Sequence, residues 1–105
     1  MSLELKDGEV ILADAAANLV RGIESVGGRL LVTNSRLVFR SHTVNLQRMP
    51  AEVPLDQIAQ ILRHNYLGIV PNGIRVRLKS GVEYKFMVWG RSRLLQVIRE
   101  NMPQG

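Results

Sequence analysis

No cysteine occurs in the 105 residues, which excludes disulfides and thiolate metal sites together and fits a reducing compartment. Histidine is nearly as scarce. His42 and His64 are the only two, and nothing at metal-ligand spacing accompanies them. Two Phe, two Tyr and one Trp are too few aromatics for a base-stacking platform. Unbroken apolar runs are only a few residues long, far short of a membrane-spanning helix. The first twenty residues carry Glu4, Asp7, Glu9 and Asp14, not the basic-then-apolar pattern of a secretory leader. Repeats, low-complexity tracts and linkers are missing too. No glycine-rich loop opens a helix, and no sequence context marks a nucleophile. The reading is therefore of a non-enzymatic chain with no catalytic group, metal or cofactor.

What is present fits one folded domain spanning 1–105, with its core at about 8–101. Apolar residues make up 46% and charged residues 22%, enough for a single core without staples. Eleven arginines and three lysines face nine acids, for a net charge of +5. That excess favours polyanions: a lipid surface, nucleic acid or an acidic protein.

Two segments show strand periodicity most clearly. In "GGRLLVTNSRLVFRSH", Leu30 and Val32 share one face of a first strand, and Asn34 with Ser35 forms a turn. On the second strand Leu37 and Phe39 go inward, which sends Arg36, Arg40 and His42 outward. From Ile74 a second hairpin follows. Ile74, Val76 and Leu78 alternate with Arg75, Arg77 and Lys79, then Tyr84, Phe86 and Val88 alternate with Glu83, Lys85, Met87 and Trp89. The two apolar sets share a face only if the intervening loop is odd in length or bulged near Gly81.

Three other segments read less simply. "GEVILADAAANLVRGIESV" reads as a strand from about Glu9 followed by irregular chain. "VPLDQIAQILRHN" spaces Leu55, Ile58 and Leu62 slightly more like a helix than a strand. "SRLLQVIREN" is an amphipathic helix with Ser92 as a candidate N-cap and Pro103 as its stop. Its apolar stripe must cover something, and the open end of a curled sheet is the natural place.

"GEVIL" and the frame Gly-x-Leu-x-x-Thr-Asn-x-x-Leu-x-Phe at Gly28 to Phe39 resemble the GRAM domain family. "VPLDQI", "LGIVPNG" and "YKFMVWGR" are similar to bacterial GRAM-domain sequences, and the resemblance runs from about Gly8 to Glu100. It implies the pleckstrin-homology-like fold: a mainly β, partly open barrel or sandwich of about seven antiparallel strands in two nearly orthogonal sheets. One C-terminal helix closes an end. It also implies that Pro54 to Gln57 is a turn and that a strand starts near Ile58, overriding the local helical spacing. Family members are known mainly as membrane- or lipid-associated modules, some as protein-interaction modules, with no universally shared ligand residues.

The expected site follows from charge and parity. Arg75, Arg77, Lys79 and Lys85 share one outer face, interrupted by Glu83, and Arg36 with Arg40 forms a second row. Arginine suits phosphate because its planar fork makes two parallel charge-assisted bonds. "YLGIVPNG" places Tyr66, Leu67, Ile69 and Val70 where a connecting loop is ordinarily polar, a candidate for membrane insertion or partner contact. Trp89 is outward by parity and is the other candidate contact. The expected partners are anionic lipid headgroups, or a protein, including a second copy of the chain. Specific nucleic acid is disfavoured because no recognition helix is free. The expected location is cytoplasmic, peripheral at the inner face of a membrane.

Overall fold

The computed structural model describes residues 4–42, 52–66 and 70–103, with only the backbone of residues 66, 70 and 71. The strands are β1 (Ile11–Arg21), β2 (Glu24–Thr33), β3 (Arg36–Ser41), β4 (Glu52–Pro54), β5 (Ile58–Tyr66), β6 (Val70–Leu78) and β7 (Glu83–Val88), followed by helix α1 (Arg91–Asn101). All pairings are antiparallel, and the strands form one open sheet in the order β4-β3-β2-β1-β7-β6-β5.

That sheet is strongly curled. Phe39 on β3 and Phe86 on β7 lie three strand spacings apart along the sheet, about 14 Å if it were flat. Their ring centroids are 5.7 Å apart. Curling brings β3, β4, β5 and β6 around one core containing Leu30, Leu37, Ile74, Val76 and Phe86. α1 covers this core with Leu94, Leu95, Val97 and Ile98, the stripe predicted from its spacing. Each such buried side chain contributes about 1.5–3 kcal/mol by leaving water.

Turn chemistry sets the registers. Leu78 and Val82 bracket a three-residue turn whose last residue, Gly81, sits at φ +95°, where L side chains are strained. The odd loop aligns Val76 with Tyr84 and Ile74 with Phe86, as the apolar alternation requires. Gly28 has a different role. A Cβ there would lie 2.1 Å from the Arg40 carbonyl oxygen and 2.9 Å from Phe39 Cζ, so only glycine lets β3 approach.

Two sequence expectations are corrected. The segment after β1's first residues is not irregular: β1 runs to Arg21, turns at Gly22 (φ +60°) and returns as β2. Small alanines permit this, with Ala15 opposite Leu30 and Ala17 opposite Gly28. Residues 55–57 form one 3-10 turn and β5 starts at Ile58, as the family resemblance implied against the local helical spacing. The N-cap of α1 is Gly90 at φ +78°, and Ser92 lies inside the first turn. At the other end Met102 is extended ahead of Pro103.

Candidate functional site

Cross-strand register brings part of the expected basic row together. Arg75 stands opposite Lys85, and Arg77 opposite Glu83, on the face of β6 and β7 away from the core. Their side chains are reachable: Arg75 is 34% and Arg77 45% exposed. Lys79 is exposed in the β6–β7 turn, where its amide donates to the Gln57 carbonyl. Phe86 and Ile74 point the opposite way and are buried.

Glu83 sits in the middle of this row and is not a bystander. One carboxylate oxygen lies 3.3 Å from Arg75 Nε, and the other accepts from Arg77 Nη2 at 3.0 Å and Nε at 3.2 Å. Arg77 Nη1 also donates to Gln60 Oε1 on β5. The Arg77 hydrogen bonds, with added charge attraction from Arg75, Arg77 and Lys85, hold the Glu83 carboxyl below its ordinary range despite a desolvation cost. Arg75, Arg77 and Lys85 thus surround one fixed counter-ion, Glu83.

Arg36 is not part of any solvated row. It is 8% exposed, and its guanidinium donates to Glu9 Oε2 at 2.7 Å and Oε1 at 2.9 Å. It also donates to Glu52 and to the Glu4 carbonyl. Thr33 and Ser35 hydroxyls bond the same Glu9 carboxylate. These bonds tie residues 4–9 to the β2–β3 turn, and Asn34 adds contacts with Gly8 and Val10. Parity was right that Arg36 points away from the core, but the N-terminal segment covers it. Arg40, opposite Arg29, is half-buried and lies four strand positions from Arg75, so the two rows do not converge.

The apolar loop is described only at its ends. Tyr66 and Val70 pair as the last and first residues of β5 and β6, while Leu67 and Ile69 lie outside the described residues. Trp89 is 69% exposed, so α1 does not cover it. Sequence reasoning missed two exposed apolar residues at the opposite end of the sheet. Ile23 at the β1–β2 turn is fully exposed, and Val82 after the β6–β7 turn is 46% exposed. A cleft of about 510 Å³ lies between these turns, lined by Leu19, Arg21, Tyr84 and Lys85 among others. An isoleucine directly after a turn glycine, in "RGIES", was the available signal.

A curled antiparallel sheet with one C-terminal helix over its core defines a pleckstrin-homology-like fold. The N-terminal PH domain of Vps36 superposes with TM-score 0.71 at 16% identity, covering 94% of this chain and 83% of that one. The C-terminal domain of an unknown protein from Leishmania infantum gives TM-score 0.78 at 20% identity, covering 91% and 86%. The family profile described as GRAM domain matches residues 1–99, and the chain belongs to that family. A curated relative, UDP-sugar-dependent glycosyltransferase 52 of Dictyostelium discoideum, is 28% identical over 99 residues. The match covers 93% of this chain but only 6% of that protein's length. GRAM and pleckstrin-homology-like domains are typically membrane, lipid or protein-interaction modules and generally non-catalytic. No helix among the described residues is long and apolar enough to cross a membrane.

Proposed function

We propose that this domain is a non-enzymatic module that adsorbs weakly to anionic membrane surfaces through the outer face of β6 and β7. The observation that carries this reading is the convergence of Arg75, Arg77 and Lys85 on two adjacent strands, with Lys79 at their turn. Each basic residue near an anionic leaflet contributes about 1 kcal/mol, so these four cations less the Glu83 carboxylate supply roughly 3 kcal/mol before orientational losses. Adsorption of that strength is salt-sensitive and calls for a second contact. Insertion of the 66–70 segment would add one. The site would lie at the inner, cytoplasmic face of a membrane. Sedimentation with phosphatidylserine-containing and neutral vesicles tests the reading. Pelleting with the anionic vesicles alone supports it, and equal, negligible pelleting with both contradicts it.

A second reading, protein interaction or self-association, is favoured by the exposure of Trp89. Light scattering distinguishes it: a concentration-dependent dimer disrupted by Leu67→Asp supports the second reading with the 66–70 loop as its contact.

A further inference from the structure

β7 is an inner strand of the sheet, with β1 on one side and β6 on the other. Its outward residues Glu83, Lys85 and Met87 alternate with the buried Phe86 and Val88, and Trp89 continues the outward set. Cross-strand register widens this face. Arg77, Arg75 and Gly73 stand opposite Glu83, Lys85 and Met87. On the other side the Trp89 amide donates to the Ala16 carbonyl at 3.2 Å, one step beyond the Ala17–Val88 pair. An alanine cannot shelter an indole, and Trp89 is 69% exposed. In extended chain it lies about 13 Å from Lys85.

Cations accompany the indole as well as the far end of the strand. From Tyr84 to Arg99 the chain carries Lys85, Arg91, Arg93 and Arg99 and no acid. Arg93 is exposed in the first turn of α1. Arg91 donates to the His64 and Gly73 carbonyls and to Asn65 Oδ1, neutral groups that leave its charge unmatched. Arg29, opposite Ala16, is in the Trp89 row but is matched by Asp14 at 2.6 Å.

We propose that Trp89 is the second contact of the membrane-binding face, so that the domain lies with β7 along an anionic bilayer. Lys85, Arg75 and Arg77 meet lipid phosphates towards one end of the strand, and the indole enters the headgroup region at the other, beside the α1 arginines. The inference deepens the membrane reading above and rests on it. The sheet curls around its core, so its outer face is convex and a flat bilayer meets it along one strip. β7 supplies that strip with charge at one end and an aromatic at the other. An indole joins an apolar body to a polar N–H, which suits the membrane–water interface, and flanking arginines suit its phosphates.

Trp89 is the only tryptophan, so its fluorescence reports on this contact directly. Emission is followed as phosphatidylserine-containing or neutral vesicles are added at low and high salt, with brominated lipid as the quencher and co-sedimentation alongside. The expected result is a blue shift and bromine quenching with the anionic vesicles, both reduced by salt. Trp89→Ala should weaken co-sedimentation about tenfold, with circular dichroism checking that the variant folds. Pelleting with unshifted, unquenched emission, or with Trp89→Ala equal to wild type, overturns the inference and leaves the membrane reading standing. No pelleting with anionic vesicles overturns both. A blue shift that follows protein concentration without vesicles assigns Trp89 to self-association and overturns the inference too.

Discussion

Replacing Arg36 by methionine should destabilise the domain far more than an ordinary surface substitution. The guanidinium makes two bonds to Glu9, one to Glu52 and one to the Glu4 carbonyl. Methionine fills much of the same space but returns none of them. The nearest carboxylate would stay in place, only 2% exposed, without its counter-charge. Breaking a buried pair by removing one partner costs about 3–5 kcal/mol, and the low end applies because water reaches the half-exposed Glu52 side. A loss of about 3 kcal/mol lowers the Tm of a domain this size by roughly 12–24 °C. Urea denaturation and calorimetry measure it. The double variant Glu9→Gln with Arg36→Met should regain much of the loss, because no unpaired charge remains. A single-variant loss below about 1 kcal/mol, or a double variant no better than the single, refutes the reasoning.

The same network predicts acid sensitivity. Hydrogen bonds from Arg36, then from Thr33 and the Lys6 amide, hold the Glu9 carboxyl far below the usual range. A depressed pKa in the folded state stabilises above the unfolded value of about 4.3, and that stability drains away as pH falls below it. Wild-type Tm should therefore drop more steeply below that pH than the Tm of Glu9→Gln. Gly28→Ala should cost at least about 2 kcal/mol in urea denaturation, because its methyl group would overlap the Arg40 carbonyl. Phe86→Ala, which opens a void beside Phe39, should cost about 3–5 kcal/mol by the same assay. Glu83→Gln removes the counter-ion between Arg75 and Arg77 and should strengthen adsorption to anionic vesicles about fivefold, one unit of charge at about 1 kcal/mol.

The two hairpins were legible because strand side chains alternate with a period of two and turn length fixes which residues oppose. Alternation at 74–78 and 84–88 was enough to require an odd turn, and Gly81 supplies it. Arg36 shows where parity stops. It sorts a side chain away from the core but says nothing about which distant segment lies over that face. Glu9, 27 residues earlier, is invisible to a local pattern. The alanines of β1 carry too little side chain to show periodicity, so a long strand read as irregular chain. At Leu55–Ile58 local spacing slightly favoured a helix, and pairing of β5 with β6 decided otherwise. The cation row on β6 and β7 was legible as residues, but not its compensation by Glu83, which depends on which cross-strand neighbours meet.

The central functional claim is that cations on the outer face of β6 and β7 meet an anionic membrane. The most direct measurement is vesicle co-sedimentation of the wild type beside Arg77→Glu, each at low and at high salt. Strong low-salt pelleting of the wild type with anionic vesicles, reduced by salt and abolished by the charge reversal, is the predicted result. Pelleting that Arg77→Glu leaves unchanged would contradict the account.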